Sequence, residues 1–166
     1  LHPSLLPQYA GPLPFYWVLK NREFYTGVTA HAMEAQLDAG AVYWAEPLRI
    51  AQDETQGSLR WRLALVAARG ALEIVRTWYA ERVFAADGTA SAVQYWPRPS
   101  EEDMEIDMMQ RWPVVAAAIR ACCPHPGAVV AGHHVCEVLA CQVEACVEPG
   151  VVERMALGLR VSAQGG

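Results

Sequence analysis

The longest regular signal in the chain is an apolar stripe, Leu59, Leu63, Ala67, Ala71, Ile74 and Trp78. Its members recur at spacings of three and four, while Arg60, Arg69, Glu73 and Arg76 fall off it. That period predicts an amphipathic helix from about Thr55 to Glu81, capped by Asp53 or Thr55. Gly70 in its middle costs about 1 kcal/mol relative to Ala, so a close approach by a neighbouring element is expected there. The chain has 166 residues, 53% of them apolar and 19% charged, which excludes disorder. No run reaches the ~18 apolar residues of a membrane span, so a soluble protein with no membrane partner is expected. Lys and Arg number 13 against 18 Asp and Glu, a net charge of −5 without a basic run, which argues against polyanion binding as the main activity. Five cysteines, four of them (Cys122, Cys123, Cys136 and Cys141) in apolar surroundings, and no secretory signal fit a reducing, cytoplasmic setting.

The remaining punctuation divides the chain. Pro3, Pro7, Pro12 and Pro14 with Gly11 define an irregular opening loop, and Phe15-Tyr16-Trp17-Val18-Leu19 suits a short buried helix ending near Asn21. Gly27 to Met33 predicts a strand with Thr29, His31 and Met33 on one face. Asp38-Ala39-Gly40 is a turn, and Ala41 to Ala51 a second extended segment interrupted by Pro47. Gly, Ser, Pro and acidic residues follow the long helix, including Pro97-Arg98-Pro99-Ser100, and read as a linker over residues 84–106. A short helix is expected over Pro113 to Cys122, with Val114, Val115, Ala118, Ile119 and Cys122 as its apolar side. The remainder, punctuated by Pro126-Gly127, Gly132, Pro149-Gly150 and Gly158, suggests an antiparallel sheet or barrel.

The residues that could carry chemistry are His2, Thr29, His31 and Asp38. His2 lies in a proline-bounded loop, Thr29 and His31 on one strand, and Asp38 at the following turn, so all four can converge at one end of a sheet. A His beside a carboxylate is the usual general acid/base pair. The same residues are also compatible with a capping Asp and two hydrogen-bonded histidines.

His2-Pro3-Ser4-Leu5-Leu6-Pro7, Tyr9-Ala10-Gly11-Pro12, Thr26-Gly27-Val28-Thr29-Ala30-His31-Ala32-Met33 and Leu37-Asp38-Ala39-Gly40 together resemble the active-site half of the folate-dependent formyltransferases. That family includes enzymes acting on methionyl-tRNA, phosphoribosylglycinamide and amino sugars. Pro97-Arg98-Pro99, Asp103, Ile106-Asp107, Ile119-Arg120-Ala121 and Pro124-His125-Pro126-Gly127-Ala128 resemble the family's linker and the start of its small C-terminal domain, with His125 where Trp is usual. The resemblance implies an α/β fold. Residues 1–83 are expected to form the C-terminal half of a Rossmann-like catalytic domain, 84–106 a linker, and 107–166 the start of a β-barrel-like, OB-like domain. It implies formyl transfer from 10-formyltetrahydrofolate to a primary amine and no metal. His2 would stabilise the oxyanion and pass the proton, with Asp38 orienting it and, directly or through water, deprotonating the amine; both would contact the folate. Ser4, Gly11, Thr29 and His31 would line the pocket, Thr29 and His31 keeping Asp38 and a water in place. The family's catalytic Asn falls immediately upstream of Leu1, so the chain is expected to be a fragment, inactive alone, of a longer enzyme.

Phe15-Tyr16-Trp17 and His31-Ala32-Met33 resemble the amino-sugar and small-amine members more than the tRNA enzyme. Arg98, Arg111 and Arg120 could form a weak basic patch for tRNA, but a solvated face fits the acidic total better. A non-catalytic module with the same fold and a formyltetrahydrofolate hydrolase are the alternative readings. His133-His134 with Cys136, Cys141 and Cys146 lacks a C-x-x-C pair and reads as β-rich sequence with buried thiols, while Trp17, Trp61 and Trp78 read as core. The oligomeric state leaves no trace in the sequence.

Overall fold

The computed structural model of the chain describes residues 1–81, 93–130, 132–135, 152–155 and 158–161. Helix α1 spans Pro14–Lys20, its proline in the first turn where no amide donor is needed, and its apolar run is buried throughout. Strand β1, Tyr25–His31, pairs antiparallel with β2, Val42–Arg49, in a register running from Tyr25 opposite Arg49 to Ala30 opposite Trp44. The register shifts between Ala30 and His31, and Met33 lies beyond the strand, almost fully exposed. The expected single face of Thr29, His31 and Met33 is therefore not formed, because β1 ends at His31; the irregularity itself places one extra residue, Tyr43, on β2. Pro47 sits opposite Gly27, on a strand with no second partner among the described residues, where a missing amide donor is tolerated.

Helix α2 spans Gln56–Glu81. The hydroxyl of Thr55 accepts the amide of Ser58 at 3.2 Å, the expected cap. Leu59, Leu63, Val66 and Gly70 are buried against the two strands, and a methyl group on Gly70 would overlap the ring of Trp44, which accounts for glycine in mid-helix. Trp61 and Trp78, expected in the core, are instead 69% and 41% exposed. The sheet is met by the Leu59 face, and Trp61 lies about 200° round the helix from Leu59.

The polar stretch expected as a linker is, from residue 93 onward, packed on α1. Tyr95 bridges Ala10, the Trp17 indole donates to the carbonyl of Pro97 at 2.8 Å, and the Tyr16 hydroxyl donates to that of Asp103 at 2.6 Å. Helix α3, Glu101–Met104, is closed by a reciprocal capping box between Ser100 and Asp103. Helix α4, Trp112–Cys122, again starts with a first-turn proline and lies against α1, so that Val18, Leu59, Leu63, Val115, Ile119 and Val130 share one apolar core. Val114, expected on its buried side, is half-buried, while Ala116, Ala117 and Ala121 are buried.

Strand β3, Ala128–Val130, pairs with β4, His133–Val135, and the Ile106 amide donates to the Val129 carbonyl at 2.8 Å. Strands β5, Val152–Met155, and β6, Gly158–Val161, form a second antiparallel hairpin. The described residues thus show separate two-stranded sheets rather than an OB-like barrel. Cys136, Cys141 and Cys146 lie outside the described residues. Among the described residues no helix is long and apolar enough to cross a membrane, and no three His, Cys, Asp or Glu side chains form a group that could hold a metal ion.

Candidate active site

The site is built on the edge of β1 that faces away from β2. His2 and Thr29 exchange both backbone hydrogen bonds there, His2 amide to Thr29 carbonyl at 2.8 Å and Thr29 amide to His2 carbonyl at 2.9 Å. The proline-rich loop that follows is tied down from inside. The fully buried Thr29 hydroxyl donates to the Ser4 carbonyl at 2.7 Å and accepts the Leu6 amide at 3.0 Å, while the Ser4 hydroxyl donates to the Gln8 carbonyl at 2.6 Å. Thr29 and Ser4 therefore fix the path of the loop carrying His2. Thr29 does not hold Asp38, as the family resemblance implied, because the one hydrogen its hydroxyl can donate goes to the Ser4 carbonyl and a carboxylate only accepts.

Asp38 arrives on the connection between β1 and β2, which is pinched at its base by the Ala32 amide donating to the Ala41 carbonyl at 2.8 Å. Its φ of +55° is a left-handed conformation that Asp tolerates better than most residues. One carboxylate oxygen, Oδ2, accepts the backbone amide of Gly11 at 2.9 Å. The other, Oδ1, faces two imidazoles: Nδ1 of His2 at 3.4 Å and Nε2 of His31 at 3.6 Å. Four of the expected residues, His2, Gly11, His31 and Asp38, thus meet directly, with Ser4 and Thr29 behind them.

The second nitrogen of each ring fixes the proton. Nε2 of His2 lies 3.0 Å from the carbonyl of Tyr9, and Nδ1 of His31 lies 2.8 Å from that of Ala32. A carbonyl only accepts, so each of these nitrogens carries hydrogen, and Nδ1 of His2 and Nε2 of His31 are the nitrogens left to face Asp38. Burial of the His2 ring lowers its pKa below the ordinary value of 6.5; the Tyr9 carbonyl and the Asp38 carboxylate oppose the shift, while His31 adds to it. The shift favours the uncharged, proton-accepting form of His2. A proton received at Nδ1 creates an imidazolium braced by a carbonyl on one side and a carboxylate on the other.

Tyr9 escapes a search for reactive side chains, because it acts through its carbonyl and a backbone group leaves no residue-type signal; only its φ of +54° marks the position as special. Gly11, expected as a lining residue, acts through its amide at a φ of +125°. A cavity of about 230 Å³ beside His2 is lined by Phe15, Val28 and Leu63 together with Arg60, and Asp38 and His31 are not among its walls.

Comparison with known proteins bears on this geometry. Residues 1–75 match the family model for formyl transferases. The methionyl-tRNA formyltransferase of Albidiferax ferrireducens is 34% identical over 128 residues, which is 77% of this chain and 40% of that relative. The chain therefore spans well under half the length of that relative. Among solved structures, HypX from Aquifex aeolicus in complex with tetrahydrofolic acid superposes with a TM-score of 0.79 at 20% identity, over 98% of this chain and 29% of that one. The N-formyltransferase of Helicobacter canadensis, in complex with folinic acid and dTDP-3-aminofucose, gives 0.74 at 15%, over 98% and 61%. At such identities these two show the fold, a Rossmann-like α/β arrangement.

Proposed function

We propose, from the premise that this chain belongs to the folate-dependent formyltransferases, that the protein of which it is part transfers the formyl group of 10-formyltetrahydrofolate to a primary amine. The observation that carries the reading is one carboxylate oxygen of Asp38 within ion-pair distance of Nδ1 of His2. The reaction moves one formyl group from N10 of the folate to the acceptor nitrogen and one proton in the opposite direction. Asp38 and the neutral Nδ1 of His2 take that proton as the amine attacks. Protonated Nδ1 then donates toward the oxyanion of the tetrahedral intermediate and returns the proton to N10 as it leaves. Nε2 takes no part, since the Tyr9 carbonyl holds it. His31, whose Nε2 lies 3.6 Å from the same carboxylate oxygen, is read as a lining residue that helps position Asp38.

A small amine, such as an aminodeoxy sugar nucleotide, is the acceptor class favoured over methionyl-tRNA. Arg120 is half-buried with Asp53 nearby, so of the three arginines of the conceivable basic patch only Arg98 and Arg111 are exposed. The two hairpins after α4 are read as the beginning of a further β unit.

The test is formyl transfer by the full-length protein from 10-formyltetrahydrofolate to a panel of amines, with a no-amine control and a tRNA titration over salt. Formylation of a small amine that vanishes in His2→Ala is expected. Formate release without an amine would replace the reading with hydrolysis. Tight, salt-dependent tRNA binding would overturn the acceptor class, and absence of turnover with every amine would leave a non-catalytic module.

A further inference from the structure

The residues that hold the catalytic pair in register are backbone groups of a strained loop, and the clamp on that loop comes from a distant part of the chain. Tyr9 has φ +54° and Gly11 φ +125°. A non-glycine residue in the left-handed region persists only where its surroundings over-determine it. The Tyr9 hydroxyl donates to Glu23 Oε1 at 2.6 Å and accepts from Asn21 Nδ2 at 3.1 Å, which anchors the rim of the ring. Its face is stacked on the indole of Trp96, with centroids 5.2 Å apart and planes inclined by 24°. Trp96 also donates its backbone amide to the Ala10 carbonyl at 2.7 Å, and its carbonyl closes over Gly11 so tightly that a Cβ there would overlap it. On its far side Trp96 leans on Trp17, with centroids 4.9 Å apart, and Trp17 is fixed in turn by its bond to the Pro97 carbonyl.

From this arrangement we infer that Trp96 is a positioning residue for the reaction: by pressing the Tyr9–Gly11 loop into its left-handed path, it aims the Tyr9 carbonyl at His2 and the Gly11 amide at Asp38. The inference rests on the formyl-transfer reading for its kinetic consequence and on geometry alone for its structural one. Trp96 lies beyond residue 75, where the match to the family model ends, and within the polar stretch that composition marks as a linker. Among the described residues the indole nitrogen is buried without a hydrogen-bond partner. The flat face, not the N–H, is therefore the working part, and phenylalanine can replace it.

The experiment compares Trp96→Leu with Trp96→Phe in the full-length protein, by steady-state kinetics well below the melting temperature and by ¹⁵N NMR of the histidine side chains. Leucine keeps the site apolar but has no planar face. Trp96→Leu is expected to lower kcat by about 10²-fold, because small displacements of an orienting group cost that much. KM for the folate stays within about threefold, since uniform binding is untouched. The ¹⁵N signals of His2, fixed in the Nε2–H tautomer in the parent, become those of a tautomer mixture. Trp96→Phe restores both readouts. Should Trp96→Leu fail to fold, Tyr9→Leu removes the opposite face of the same stack and must give the same pair of changes. Parent-like kcat and His2 signals in a folded Trp96→Leu protein would overturn the inference, as would a Trp96→Phe variant as impaired as the leucine. If the parent transfers no formyl group, the functional reading fails, and the NMR comparison still decides the positioning role.

Discussion

Replacing Asp38 with Asn keeps the shape of the site while removing its charge. Asn shares the tolerance of Asp for the left-handed region, so the φ of +55° carries no new strain, and the amide oxygen can still accept the Gly11 amide now 2.9 Å from Oδ2. What changes is the atom facing the two imidazoles: an acceptor with a charge becomes a donor without one. At the observed 3.4 Å from Nδ1 of His2, a carboxylate attracts a newly formed imidazolium by about 5 kcal/mol for an effective dielectric near 20. Part of that is recovered from water, because the Asp38 side chain is 18% exposed. A loss of about 3 kcal/mol in the barrier is the expected remainder, comparable to removing one preorganised transition-state contact. That is about 10²-fold in kcat, at 1.36 kcal/mol per tenfold. The amide N–H₂ also donates to the lone pair of His2 Nδ1 and occupies the position where the proton must arrive, which pushes the loss toward 10³-fold, about 4 kcal/mol. The assay is formyl transfer under saturating folate in the full-length protein, alongside a thermal melt. Asn should leave Tm within a few degrees of the parent, since less than 1 kcal/mol of folding energy is at stake where a neutral amide replaces a partly solvated charge. A kcat within fivefold of the parent, with folding intact, would refute the proton-transfer role assigned to this carboxylate.

Three further outcomes follow from the geometry. Gly11→Ala places a Cβ against the Trp96 carbonyl at a φ of +125°, so denaturant unfolding should show a loss of about 2–4 kcal/mol, and kcat should fall with it because the Gly11 amide moves off Asp38. Gly70→Ala gains about 1 kcal/mol of helix propensity but drives a methyl into the ring of Trp44; overpacking costs about 1–3 kcal/mol, so a net loss is expected, and it should turn into a gain when Trp44 is shortened to Leu in the same chain. The lowered pKa of His2 makes stability pH-dependent: the unfolded chain binds the proton first, so the contribution is complete above about pH 6.5 and is lost as pH falls through the folded value. The groups facing that ring are Asp38, His31 and the Tyr9 carbonyl, and Tm measured from pH 8 to 5 should fall more steeply in the parent than in His2→Gln.

What the sequence discloses depends on which physical signal each feature leaves. Helices α1, α2 and α4 are legible because a buried helix face repeats at 3.6 residues and their first-turn prolines mark where two of them begin. The choice between the two apolar faces of α2 is not legible. Leu59, Leu63 and Val66 form one, Trp61, Leu65 and Leu72 form another, and only the position of Trp44 on the neighbouring strand decides that the first is covered. Thr29 is found as a site residue by its place in the motif, but not the partners of its hydroxyl: strand alternation puts it on the His31 face, while the Ser4–Leu6 loop takes both its hydrogen bonds.

The deeper reason lies in what orients the proposed catalytic pair. His2 and Asp38 are visible because an imidazole and a carboxylate are rare enough, at a recurring interval, to be recognised as chemistry. Their immediate holders, the Tyr9 carbonyl, the Ala32 carbonyl and the Gly11 amide, belong to atoms every residue possesses. Selection on such a holder can act only through the residues that bend the backbone into place: a glycine where no Cβ fits, a tyrosine whose ring can be pinned at rim and face, a tryptophan from a stretch of apparently linker composition. Composition reads residues 93–99 as spacer because their polar and proline content is high, yet the carbonyl of Pro97 and the ring of Trp96 are as much part of the site's frame as β1 is. It follows that sensitivity to substitution in this chain should track distance from the Tyr9–Gly11 backbone more closely than distance from any ionisable side chain.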